Sequence, residues 1–217
     1  MRKKAEILEI MQVFQQENPN PQCELNFHNP YTLLVAVVLS AQSTDKGVNK
    51  ATEKLFQIAD TPEKMLNLGE EKLKSHIKTI GLFNNKAKNI MALSRQLISD
   101  YNGEVPADRD VLTSLAGVGR KTANVVMNVW YHLPTLAVDT HVMRIAHRLD
   151  FSRGKTPLEV EKDLMAVLPP EMVKNTNHWL VLFGRYICKA QRPLCDQCPI
   201  SGYCRSKDKK ISSKTTA

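Results

Sequence analysis

Four of the five cysteines, Cys188, Cys195, Cys198 and Cys204, fall within seventeen residues in a C-x6-C-x2-C-x5-C arrangement. Thiols at that density either pair as disulfides or bind metal as thiolates. The chain around them has an ordinary globular composition and no secretory leader, which argues against disulfides. Four thiolates suit a tetrahedral zinc site and a [4Fe–4S] cluster alike. The wide first loop is not a usual zinc-ribbon spacing and tilts the reading towards iron–sulfur. That loop contains Lys189, Arg192 and Pro193. Tying both loop ends to a metal would hold the two cations outward at little further entropic cost. The expectation is a structural cluster that presents a basic loop to phosphates. Cys23 lies apart and reads as a small buried residue.

A second stretch with chemical potential is Leu115-Ala116-Gly117-Val118-Gly119-Arg120-Lys121-Thr122-Ala123. Two glycines two residues apart, between apolar helices, permit positive φ and close approach of main chain to a ligand. The helix that follows directs its unpaired N–H groups and positive dipole end at the hairpin. Such a device grips a backbone phosphate without reading sequence. A bare Gly-x-Gly is as easily an ordinary tight turn; Arg120 and Lys121 directly behind it, with the cysteines downstream, favour the phosphate reading. Lys121 itself suits a phosphate contact. Yet the helix N-terminus and the adjacent Arg120 both disfavour an ammonium there, which suits a neutral amine nucleophile. Eighteen residues further on, Asp139 precedes an apolar helical period within Ala137-Val138-Asp139-Thr140-His141-Val142. It suits an N-cap, a catalytic carboxylate, or both.

Charge narrows the partner. The 217 residues carry a formal net charge of +8. From Lys174 onward nine basic residues face two acids, Asp196 and Asp208. A positive field concentrated in the last fifth of the chain favours a polyanion, nucleic acid before membrane, because no amphipathic basic helix accompanies it. No apolar run approaches the ~18 residues needed to span a bilayer. Met1-Arg2-Lys3-Lys4 opens like a signal peptide, but Glu6 and Glu9 interrupt what should be its apolar region and also argue against a transit peptide. A reducing, cytoplasmic compartment is expected.

The elements that must carry these residues read as helices almost throughout. With 42% hydrophobic residues the chain can build real cores. Strand-type alternation is not convincing over any stretch. Helical periods run over 5–14, 31–39, 48–58, 72–80, 87–98, 111–115, 122–130, 142–149, 158–168 and 178–187. Thr156-Pro157-Leu158-Glu159 is a capping box with proline at the first helical position. Asp60-Thr61-Pro62 opens another helix in the same way. The proline-rich 17–30 segment is a connector, and a Lys/Ser/Thr-rich basic tail, 206–217, is expected to be disordered.

Taken together, Leu39-Ser40-Ala41-Gln42-Ser43-Thr44-Asp45, the Gly117–Ala123 hairpin, Val138-Asp139-Thr140-His141 and the cysteine spacing resemble the endonuclease III family. The motifs stand in that family's order and spacing, and the likeness covers all but the last ten or so residues. It implies an all-α, two-domain helix-hairpin-helix DNA glycosylase fold with a C-terminal [4Fe–4S] cluster loop. Residues 23–135 would form the central bundle; 1–22 with 136–205 would form the cluster domain, with DNA across the cleft.

The resemblance further implies a bifunctional glycosylase and AP lyase of base excision repair. Its substrate would be double-stranded DNA containing oxidised pyrimidines or abasic sites. Lys121 would attack C1′ of the flipped nucleotide, and Asp139 would stabilise charge at the sugar and help deprotonate the lysine. The resulting Schiff base acidifies the C2′ proton, and β-elimination breaks the 3′ phosphate bond. Gln42 and Leu82 match positions that enter the duplex: an amide for the orphaned base and an apolar wedge for the stack. Without the resemblance they read as a helix-terminal Gln and a core Leu. Ser40, Asp45 and His141 would line the damaged-base pocket, although Asp45 also suits the cap of a helix starting near Lys46. Gly117, Val118, Gly119 and Arg120, with Lys189 and Arg192, would contact DNA, and the four cysteines would hold the cluster.

One departure is Ala116, where the family commonly has proline. Its effect is on chain entropy, at most ~1 kcal/mol, and not on donors or the lysine. Three other readings compete. An adenine-type mismatch glycosylase generally lacks a lysine at position 121 and carries an additional C-terminal domain. A non-catalytic DNA-binding module would use hairpin and cluster only to hold DNA. A zinc-stabilised transcription factor would need a recognition helix with a dense base-reading face, which the sequence lacks. Nothing in the sequence suggests an oligomer, so a monomer is expected.

Overall fold

The computed structural model describes residues 1–211. Among them every regular element is a helix, as the periodicities require: α1 (Lys4–Glu17), α2 (Pro30–Ser40), α3 (Asp45–Ile58), α4 (Pro62–Leu68), α5 (Glu70–Ile77), α6 (Phe83–Tyr101), α7 (Arg109–Ser114), α8 (Arg120–Val129), α9 (Thr140–Arg148), α10 (Pro157–Val167) and α11 (Pro170–Tyr186). Two short 3-10 turns follow at Cys195–Gln197 and Ser201–Tyr203. No helix among the described residues is long and apolar enough to cross a membrane.

The chain divides into two compact units, Cys23–Thr135 and Met1–Gln22 with Leu136–Ala217. In Cys23–Thr135 the centre is α2, whose residues from Tyr31 to Leu39 are all buried. A helix apolar on every side has no solvent face to offer and so sits in the middle of its unit. Pro30 at its first position and Asn29, which accepts from Thr32 N at 2.7 Å, start it sharply. Helices α3, α6 and α8 lie against it, and α4 and α5 lie along α6. Thr61 accepts from Lys64 N to cap α4, the start signalled by Asp60-Thr61-Pro62.

In the other unit α9 packs on α10 and α11, and α1 on α11. Ile7, Ile10, Met11, Val142, Ile145, Phe151, Leu164 and Leu180 fill its core. Phe14 meets Phe183 edge to face with centroids 4.9 Å apart, and Trp179 Nε1 donates to Asn18 O at 2.7 Å, closing the end of α1 onto α11. The capping box at Thr156 and Glu159 forms as read from the sequence.

Three differences from expectation are informative, besides α6 running past its 87–98 period at both ends. Helix α11 starts at Pro170, eight residues before its apolar period becomes visible. Thr176 and Asn177 lie on its buried face, and polar residues there mask the period. Helix α3 is capped by Thr44, which accepts from Gly47 N at 3.1 Å, and Asp45 is its first residue rather than its cap. The expected disordered tail is held as far as Lys210. Asp208 accepts from Arg148 Nε at 3.0 Å, Lys209 Nζ donates to Ser201 O at 2.7 Å, and Lys210 N donates to Cys195 Sγ at 3.4 Å. Residues 212–217 of that tail lie outside the described residues.

Candidate nucleic-acid interface and metal centre

The hairpin joins α7 to α8. Val118 N donates to Leu115 O at 3.1 Å and Gly117 has φ +76°, a type II turn whose third residue must be left-handed. A Cβ on Gly117 would lie 2.7–2.9 Å from three atoms of the Asn89 side chain, so α6 presses against the turn. Gly119 is different: its φ of −93° is open to any residue, and a Cβ would meet nothing within 4 Å. It stands at the N-cap of α8 and supplies no capping side chain, so the first-turn amides of that helix have none from this position. Gly117, Gly119, Arg120 and Lys121 are at least partly exposed, whereas the Val118 side chain is buried in the core. Val118 therefore has only its main chain to offer a ligand at this turn. Lys121 occupies the first turn of α8.

Two further turns of the same unit come together. Gln42, after α2, has φ +55°, and Leu82, before α6, has φ +59°. Both are exposed, Leu82 by 59%, which removes it from the core position its type suggests. A Cβ on Gly81 would lie 3.6 Å from Gln42 O, so the turns touch. Left-handed backbone is uncommon at non-glycine residues, and two of the six such residues among those described sit on these adjoining exposed turns. Ser40, at the end of α2, donates its hydroxyl to Val37 O at 2.8 Å.

Asp139 and His141 belong to the unit that contains α9. Asp139 is the N-cap of α9 and accepts from Val142 N at 2.8 Å, so the bland reading of its position is realised. His141 Nδ1 lies 3.2 Å from Arg144 Nη2. Burial pushes the imidazole below its usual pKa; Asp139 opposes this, and Arg144 and Arg185 add to it. Arg144 Nη2 also donates to Gly184 O at 2.8 Å, locking the first turns of α9 onto α11.

The cysteines follow directly. Cys188 comes just after α11, Cys195 opens the first 3-10 turn, Cys198 follows it and Cys204 follows the second. All four line one pocket walled by Leu149, Phe183, Ile187, Pro193, Leu194 and Ile200. Among the described residues no three His, Cys, Asp or Glu side chains close on a position for a single metal ion. Thiols set around a pocket suit a multinuclear cluster, which takes one thiolate at each corner, better than a tetrahedral zinc site. Burial pushes the thiol of Cys188 up and that of Cys198 up to about 11, so a bound cation is what would make them thiolates. Arg148 Nη1 donates to Cys188 Sγ at 3.4 Å and to Lys189 O at 2.7 Å, and its Nη2 to Ala190 O at 3.2 Å. The loop from Lys189 to Arg192 is thus braced from beneath, with Lys189 and Arg192 exposed.

Two supporting residues escaped the sequence reading. Lys86 and Arg148 are cations whose partners lie 43 and 60 residues away. For Lys86 a signal existed: it falls on the core side of α6, one turn before Ile90, where a lysine is out of place.

A glycine-turned helical hairpin followed by a four-cysteine loop defines the class. The model for HhH-GPD superfamily base excision DNA repair proteins matches residues 35–170, and that for the iron–sulfur binding domain of endonuclease III matches residues 188–204. The chain belongs to the endonuclease III family within that superfamily. It is 52% identical to the endonuclease III of Haemophilus influenzae over 95% of this chain and 98% of that one. It is 56% identical to that of Rickettsia conorii, over 90% and 93%. A trapped endonuclease III–DNA covalent intermediate superposes with a TM-score of 0.90 at 49% identity, covering 94% of this chain and 97% of that one. A non-covalent endonuclease III–DNA complex matches with the same TM-score at 48% identity, covering 94% and 96%. A thermostable thymine-DNA glycosylase shares the fold, with a TM-score of 0.79 at 24% identity over 93% of this chain and 95% of that one. The protein is accordingly a base excision repair DNA glycosylase with AP lyase activity, and its cofactor is a [4Fe–4S] cluster.

Proposed function

We propose that this enzyme removes oxidised pyrimidines from duplex DNA and cuts the strand at the resulting abasic site, with Lys121 as its nucleophile. The amine attacks C1′ as the bond to the base breaks, and the base leaves. The sugar ring opens to an imine on Lys121, the C2′ proton is lost, and the 3′ C–O bond breaks to release phosphate. Water then frees the lysine. Asp139 takes a proton from Lys121 so that the amine attacks with a free electron pair; passed on to the departing base, that proton leaves a carboxylate that offsets positive charge at the sugar. The observation that carries this reading is the exposed lysine in the first turn of α8, directly behind a hairpin built for a phosphate. A relative caught as a covalent DNA intermediate supports a nucleophile of this kind.

The remaining assignments follow from chemistry. Main-chain amides from Gly117 to Arg120 hold a phosphate, Gln42 serves the orphaned base and Leu82 wedges the stack. Ser40, Asp45 and His141 line the base pocket. Cys188, Cys195, Cys198 and Cys204 ligate the cluster, which supplies four ties to the loop carrying Lys189 and Arg192. The enzyme acts as a monomer in the cytoplasm, a reducing compartment in which thiolates persist.

Borohydride reduction of the imine tests the central step. Wild type becomes covalently attached to an abasic or thymine-glycol duplex. Lys121→Gln loses attachment while still binding the duplex. A wild-type protein that binds but never attaches would be a DNA-holding module, and the lyase assignment to Lys121 would fall.

A further inference from the structure

Lys86 is 5% exposed, on the core side of α6. Its ammonium is held by three neutral oxygens: Leu39 O at 2.9 Å, Ala41 O at 2.5 Å and Ser43 Oγ at 3.1 Å. Burial works against the charge, so a lysine here is a poor choice for packing alone. What it does locally is clear from its acceptors. The chain leaves α2 through Ala41 and bends at Gln42, and carbonyls at a helix end have no amide to bind. Three donors on one ammonium satisfy two of them and also reach Ser43, gripping the turn on both sides of Gln42. A cation at a helix C-terminus is also favoured by the dipole.

The same residue holds the other turn. Its main-chain N–H donates to Leu82 O at 3.0 Å, closing the first turn of α6 behind Leu82. One residue therefore fastens two adjoining left-handed turns, one through its side chain and one through its backbone. We propose that Lys86 is a positioning residue for base extrusion, locking the turns of Gln42 and Leu82 into one rigid piece so that both side chains enter the duplex together. This rests on the reading of Gln42 as the orphan-base partner and Leu82 as the wedge. It gives a reason for a charged residue in the core: the three donors of one ammonium reach three oxygens around the turn.

The test is single-turnover base release by the cluster-loaded protein from two duplexes. One carries thymine glycol opposite adenine; the other carries it opposite an abasic analogue, which leaves no orphaned base. Lys86→Met keeps an unbranched side chain, one atom shorter, and removes its donors. Release opposite adenine should slow by about tenfold or more, since displacements of about an ångström in a positioning group are costly. Opposite the abasic analogue it should slow by no more than about twofold, because that duplex gives Gln42 nothing to bond. Equal slowing on both duplexes would mean that Lys86 only supports the fold, and no slowing on either would also overturn the proposal. Should Lys86→Met fail to fold, Ser43→Ala removes one acceptor and should show the same selectivity at about threefold; equal effects on the two duplexes refute it. Gln42→Ala and Leu82→Ala separate the layers. If neither slows release, the reading of those side chains falls and this inference with it. If both slow release and Lys86→Met does not, this inference alone falls.

Discussion

Asp139 has a capping role in the fold and a proposed chemical one, which substitution can pull apart. As N-cap of α9 it accepts from Val142 N, a role that asparagine fills equally well. As the proton acceptor for Lys121 it needs a charge that asparagine lacks. Asp139→Asn should therefore keep the melting temperature close to wild type while attachment to DNA under borohydride falls by about a hundredfold or more, within the range of a lost general base. Asp139→Ala should lose activity and, in addition, about 1 kcal/mol of stability through the missing cap. An asparagine variant that melts as wild type does and turns over normally would make Asp139 a cap and nothing else. Calorimetry and the trapping assay on the same samples decide it.

At the scale of the element, the two hairpin glycines are present for different reasons. Gly117 is left-handed, and a Cβ there would run into Asn89. Gly117→Ala should destabilise the protein by at least ~1–2 kcal/mol from the backbone alone, visible as a lower denaturation midpoint. Gly119 has ordinary φ and open space around it. Gly119→Ala should cost no more than ~1 kcal/mol, since alanine is a poorer N-cap than glycine, yet weaken duplex binding, because a methyl group would stand where the proposed phosphate approaches. If both substitutions destabilise alike, the second glycine serves the turn and not the ligand. Ala116 occupies the second position of the same type II turn, the place proline favours, and Leu115 before it has φ −72° and ψ 144°, as a following proline demands. Ala116→Pro should thus raise stability by up to ~1 kcal/mol without changing the cleavage rate. A loss of stability would show that the turn has some other geometry.

For the molecule as a whole, the basic loop after Cys188 is braced where the four cysteines line a pocket. Arg148 ties Cys188, Lys189 and Ala190 together, and Asp208 closes on Arg148 from the tail. Electrostatic attraction to DNA is read by its dependence on salt. Replacing Lys189 and Arg192 by glutamine should reduce the slope of log affinity against log salt by about 1 for each phosphate that is no longer neutralised. An unchanged slope would remove this loop from the interface.

The sequence by itself determined the helical class, the boundaries carried by Thr61 and Thr156, the cap at Asp139, and the glycine turn before Lys121. Each depends on residues within one or two turns of one another, so periodicity and local hydrogen bonding suffice to read them. It did not reveal the start of α11, because Thr176 and Asn177 interrupt the apolar face, nor that the Val118 side chain turns inward. Only the tertiary structure decided which cation supports which turn. Lys86 meets carbonyls on α2, Asn89 backs Gly117, and Arg148 reaches the loop after Cys188. Hydrogen bonds between such distant residues carry no periodicity. They are chosen when buried helices pack and leave particular carbonyls without donors, which is settled by the shape of the core and not by neighbours along the chain.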